Sequence, residues 1–90
     1  MQVVRELVQN EVGLHARPAS LFVQCAAKFR SRMTIRNVSS GGPSVNAKSI
    51  LHVLTLGVSQ GNEVEILVEG EDETSAAAAL RQLIVSDFAG

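Results

Sequence analysis

Two periods of apolar residue alternate along this chain, and together they lay out seven elements. Gln2 to Val8 is rich in β-branched residues and reads as a strand. Its inward register stays open: Val4 and Val8 inward would bring Glu6 with them, whereas Val3 and Leu7 would bring Arg5. After a loop, Asn10 to Leu14, the period changes. Ala19, Phe22, Val23, Ala26 and Ala27 follow the spacing of one apolar helix face and predict a helix from about Ala16 to Lys28. Arg32 to Arg36 alternates polar and apolar, a half-buried strand with Met33 and Ile35 inward. Ser39 to Pro43 has the composition of a turn or loop, and a short strand, Ser44 to Asn46, follows it. Ser49 and Gly57 then bracket a short helix, a serine N-cap at one end and a glycine stop at the other. Glu63 to Glu69 alternates strictly, with Val64, Ile66 and Val68 inward and Glu63, Glu65, Leu67 and Glu69 opposite. Asp72 is placed to cap a last helix, Glu71 and Glu73 complement its positive end, and Ala76, Leu80, Leu83 and Ile84 form its core stripe.

The order is therefore strand, helix, strand, strand, helix, strand, helix. Such an order suggests an antiparallel sheet with helices on one face, an α+β two-layer sandwich. With 90 residues, the whole of 1–90 is expected to form one domain around one modest core. The helix bracketed by Ser49 and Gly57 is apolar nearly all round, at Ile50, Leu51, Val53, Leu54 and Leu56. One buried face does not need so many, so some should stay exposed as a contact site.

Composition narrows the function. A chain that is 46% apolar and 19% charged is globular, and a net charge of −1 with only three aromatics, all Phe, argues against nucleic acid. No apolar run approaches the ~18 residues that suggest a membrane span, and the start of the chain does not resemble a signal peptide, so a soluble cytoplasmic protein without membrane insertion is expected. The single cysteine, Cys25, reads as a small core or surface residue rather than a nucleophile. Two histidines without clustered cysteines make no metal set, and no cofactor is implied.

The chemistry gathers at Gly13-Leu14-His15-Ala16-Arg17-Pro18-Ala19. Pro18 has no N–H and a preset φ, which suits the first turn of a helix, so His15 falls at or next to the N-cap. Gly13 before it permits a sharp bend. The N–H groups of a first turn and the helix dipole favour an anion such as phosphate. The same field disfavours an imidazolium and so favours a neutral, nucleophilic His15. Arg17 adds a planar cationic fork for phosphoryl oxygens. The bland alternative is a capping histidine beside a solvated arginine.

The same seven residues closely resemble the active-site motif of the HPr family, the histidine-containing phosphocarriers of the bacterial phosphotransferase system. Val45-Asn46-Ala47-Lys48-Ser49-Ile50, with Leu56-Gly57 beyond, is similar to the family's second helix and its regulatory serine, and the likeness covers essentially the whole chain. The resemblance implies a four-stranded sheet ordered 1-4-2-3 under three helices. It implies that His15 accepts a phosphoryl group from phospho-enzyme I and passes it to a IIA component of a sugar permease. Arg17 would neutralise the phosphoryl oxygens, and the backbone N–H groups of Ala16 and Arg17 would bind them. Ser49 would be the target of an HPr kinase/phosphorylase. Ile50, Leu51 and Leu54 would form the docking patch for enzyme I and IIA, with Ser20, Lys28 and Lys48 near its rim. Such a chain is a carrier rather than an enzyme, and is expected to act as a monomer. Two departures stand out: the Ser39–Ser44 loop is longer than usual and lacks a lysine, and His52 stands where relatives often carry glycine. Two other functions fit the same sequence: a paralogous carrier of a nitrogen-related or dihydroxyacetone kinase branch, and a non-catalytic regulatory binding module in which His15 has no role.

Overall fold

The structure, a computed structural model, describes residues 1–89. Its centre is the strictly alternating strand. Val64, Ile66 and Val68 point from β4 (Glu63–Glu69) into the core, each fully buried. On one side β4 pairs antiparallel with β1 (Gln2–Leu7), and on the other with β2 (Arg32–Asn37), so that Ile66 lies between Val4 and Ile35. The two-residue strand β3 (Val45–Asn46) closes the far edge against β2, and the sheet order is β1-β4-β2-β3. Three helices cover one face: α1 (Ala16–Ala27), α2 (Ile50–Thr55) and α3 (Glu73–Val85). The predicted two-layer sandwich and its strand order are those observed.

The open register of β1 is decided by α3. Val4 and Val8 are buried and Val3 and Leu7 are half-exposed, so Glu6 does face the helical layer. There its carboxylate meets Arg81 of α3 at 3.1 Å, which makes an inward glutamate tolerable. On the open face, Glu65 stands between Arg5 and Arg36 in the ladder and accepts from both, at 2.7 and 2.9 Å. Those two guanidiniums, Arg36 first, hold its carboxyl below the usual glutamate value.

Three details of the helices differ from the periodic pattern. In α1, Ala19, Phe22 and Ala26 are buried, Val23 only half so, and Ala27 faces solvent. In α3, Ala77 joins Ala76, Leu80 and Ile84 in the core, while Leu83 is half-buried at its margin. Asp72 precedes α3, but its side chain makes no capping hydrogen bond. Its carboxylate instead accepts from the backbone N–H groups of Arg30 and Ser31, at 2.8 and 2.9 Å, and from the Ser31 hydroxyl. Those amides sit where the chain leaves α1 for β2, the Arg30 one exposed and the Ser31 one part-buried, and the buried Ser31 is the one that most needs a partner within the protein. The carboxylate serves the tertiary junction in preference to its own helix.

Candidate functional site

The loop that delivers His15 is anchored by one close approach. Gly13 is buried with φ +62°, and a Cβ there would sit 2.1 Å from the Val58 carbonyl oxygen. Glycine is thus required twice over, by backbone angle and by space. Leu14, fully buried, donates its N–H to that same carbonyl at 3.1 Å. The Asn10 side chain donates to the Gly13 carbonyl at 2.9 Å and closes the loop on itself. Val58 lies just beyond α2, so the segment after the second helix fixes the approach to the first.

His15 is the N-cap of α1, in extended backbone at φ −131° and ψ 164°. Its side chain makes no capping hydrogen bond, and the residue is half-buried. The imidazole is therefore not consumed in holding the helix, which weakens the bland alternative of a capping histidine. The next residue is strained: Ala16, exposed and first in the helix, has φ +51°. A non-glycine residue in the left-handed region costs on the order of 1–3 kcal/mol, and such strain concentrates at functional sites. No acidic residue lies in the first turn of α1, so the positive end of the helix is not neutralised from within. Arg17 is exposed and has no carboxylate within 4.0 Å among the described residues. With Pro18 it lines a shallow cavity of about 320 Å³ that Glu11 and Asp87 also border. The histidine, the exposed guanidinium and the N-terminus of α1 thus lie within three residues of one another, with Glu11 and Asp87 the described carboxylates at the Arg17 cavity.

Ser49 is the N-cap of α2, its hydroxyl accepting the His52 N–H at 3.4 Å. Val53 and Leu56 turn into the core, while Ile50, Leu51 and Leu54 remain 39%, 73% and 38% exposed. These three make the apolar surface expected of a helix with more apolar residues than one buried face needs. The helix packs against α1. Of the proposed rim, Ser20 is half-buried on α1 and accepts from Gln24 at 2.8 Å. Lys48 donates its ammonium to the Phe29 carbonyl at 2.6 Å, just past the end of α1. Lys28, the C-cap of α1, lines the groove between α1 and α3. His52 is exposed on α2. Cys25 is half-buried in that α1–α3 groove, and burial pushes its thiol above its ordinary value, away from the reactive thiolate. No cluster of three or more His, Cys, Asp or Glu could hold a metal ion, and no helix is long and apolar enough to cross a membrane, among the described residues.

Asn37 was not singled out in the sequence, yet it is buried and ties the end of α2 to the sheet. Its amide donates to the Leu56 carbonyl at 3.3 Å and to Asn62 at 3.2 Å, while its side-chain oxygen accepts the Ser40 N–H. An asparagine ending an alternating strand was the available signal. Its inward side follows from the register of Met33 and Ile35, and a buried amide at such a position must find partners.

A four-stranded β1-β4-β2-β3 sheet under three helices, with a histidine opening the first of them beside an exposed arginine, defines the class of small histidine phosphocarrier domains. The chain belongs to the HPr family: residues 5–86 match the family model described as the PTS HPr component phosphorylation site. It is 43% identical over 82 residues to the phosphocarrier protein HPr of Xylella fastidiosa, covering 91% of this chain and 89% of that one. It is 38% identical over 79 residues to a multiphosphoryl transfer protein of Haemophilus influenzae, covering 88% of this chain and 16% of that much longer one. Among solved structures it is similar to HPr of Thermoanaerobacter tengcongensis, with a TM-score of 0.93, 48% identity, and coverage of 100% of this chain and 98% of that one.

Proposed function

We propose that His15 is the phosphoryl acceptor and donor of this carrier, taking the group from phospho-enzyme I and giving it to a IIA component. The observation that supports this most is the N-cap imidazole left free of any capping bond at the uncompensated end of α1. In the transfer, a ring nitrogen of His15 bonds to phosphorus as the bond from phosphorus to the donor's nitrogen breaks. The electron pair of the broken bond returns to the donor. The imidazole is both a competent nucleophile and a competent leaving group, so the same step runs onward to the next acceptor. The protein's contribution is position and charge. Arg17 and the first N–H groups of α1, those of Ala16 and Arg17, face the oxygens whose charge grows in the transition state. Ile50, Leu51 and Leu54 supply the apolar docking contact, Ser20 and Lys48 its border, and Lys28 a further cation on α1. Phosphorylation at Ser49 by a kinase would add charge beside that contact and weaken it.

Incubation with enzyme I and phosphoenolpyruvate, followed by peptide mass spectrometry, tests the assignment. One phosphoryl group on His15, labile in acid and stable in base, is expected, and His15→Ala should accept none. Wild-type uptake by His15→Ala would reject the proposal.

A further inference from the structure

The unpaired cations are unevenly distributed. Arg5, Arg36 and Arg81 each hold a glutamate. Arg30, Arg32 and Lys48 have no carboxylate within 4.0 Å among the described residues, and all three line one open cleft of about 410 Å³. The cleft runs between the turn from α1 into β2 and the edge strand β3, away from the Gly13–Ala19 motif, none of whose residues lines it. Thr34, Ser44 and Asn46 give it hydroxyl and amide groups, Met33 and Val45 an apolar wall, and no described carboxylate lines it. In a chain of net charge −1, three cations without a described ion pair gather around one cleft.

The cleft is also held in shape. Asp72 accepts from the Arg30 and Ser31 backbone amides, which fixes the turn and leaves the Arg30 guanidinium exposed in solvent. The Lys48 ammonium spends one donor on the Phe29 carbonyl at 2.6 Å and keeps two for a ligand. Arg32 stands opposite Glu69 in the β2–β4 ladder, yet the two form no ion pair.

We propose that this cleft binds a small phosphate ester. Two guanidinium forks and an ammonium match the oxygens of a phosphate dianion, the forks by paired hydrogen bonds and the ammonium as a point charge. The hydroxyl and amide groups suit the alcohol portion of such an ester. The volume falls in the ~300–1,000 Å³ range of small-molecule sites. The cleft shares no residue with the Gly13–Ala19 motif and meets the proposed docking surface only at Lys48.

The test is a titration of the isotope-labelled full chain, followed by backbone amide NMR, at about 0.15 M salt to suppress non-specific attraction. The probes are glycerol 3-phosphate, inorganic phosphate and glycerol. Saturable shifts in residues 30–34 and 44–48 are expected with both phosphate-bearing probes and none with glycerol. The double variant Arg30→Ala/Arg32→Ala should bind glycerol 3-phosphate at least about tenfold more weakly. Both side chains are exposed, so it should fold, and the wild-type titration decides the question even if it does not. Shifts confined to residues 15–18, no saturation, or equal affinity in the double variant would overturn the proposal. So would a response to polyglutamate with none to glycerol 3-phosphate, which would mark the cleft as a contact for acidic protein.

Discussion

Gly13 and Ala16 both adopt positive φ within four residues, one without strain and one with it. Gly13 sets how close the loop approaches Val58. Gly13→Ala should therefore lower stability by at least about 2 kcal/mol, since the added methyl meets a backbone oxygen in a left-handed conformation. Thermal unfolding is the check, and a fall in Tm of about 10 °C is expected for a domain of this size. Arg17 belongs to the opposite case. It is exposed and holds no carboxylate among the described residues, so Arg17→Ala should change stability by no more than about 0.5 kcal/mol. Transfer from enzyme I should nevertheless slow by at least about tenfold if, as proposed, the lost charge is the one that faces the transferring group. Rapid-quench measurement of transfer, alongside urea unfolding, separates the two effects. Unaltered transfer would leave the helix end as the sufficient source of stabilisation.

The second helix shows what a short element contributes when it cannot bury all its apolar residues. Val53 and Leu56 anchor α2, and Ile50, Leu51 and Leu54 are left at the surface. Ser49 caps it through the His52 amide, a role aspartate fills equally well. Ser49→Asp should thus keep or raise the Tm. The carboxylate would also stand beside the apolar surface, and docking would have to desolvate it there. A loss of at least about fivefold in apparent affinity for enzyme I is expected, shrinking as salt rises. Kinetics at two salt concentrations measure it; an unfolded variant, or one with unchanged affinity, would return Ser49 to a capping role alone.

Across the whole molecule, carboxylates join elements far apart in the chain. Glu65 ties the sheet's three long strands together on the open face, and Asp72 ties the start of α3 to the start of β2. The Ser31 hydroxyl, then the Arg30 amide, hold the Asp72 carboxyl below its ordinary value of 3.8, and Glu65 is held below 4.5 by Arg36 and Arg5. Both groups bind protons less readily folded than unfolded. Their contribution is complete above those ordinary values and drains away as pH falls through the folded ones. Urea unfolding should accordingly show stability level near neutral pH and declining below about 4. Carboxyl-carbon NMR on Ser31→Ala should find Asp72 titrating nearer its ordinary value. An Asp72 midpoint that does not move would remove Ser31 as the cause.

Local order was legible along the chain wherever the physics was local. Strict alternation placed Val64, Ile66 and Val68 inward because successive strand side chains point to opposite faces. Ser49 and Gly57 marked the limits of α2 because unpaired groups at helix ends require a cap and a stop. His15 and Pro18 located the start of α1 for the same reason. The rest depended on groups tens of residues away. Nothing within β1 says whether Glu6 or Arg5 turns inward; Val4 and Val8 enter the core, and the partner that Glu6 then finds, Arg81, lies 75 residues on. Asp72 has the form of a helix cap, but stronger demand for its carboxylate came from amides 41 and 42 residues earlier. The need for glycine at 13 is a matter of the Val58 carbonyl, and the cleft at Arg30, Arg32 and Lys48 exists only once β3 is laid beside β2. Periodicity and end groups act over a few residues and can be read from sequence. Partner choice for a charge, a buried amide or a close backbone contact is a competition among distant groups, and only the folded chain brings the competitors together.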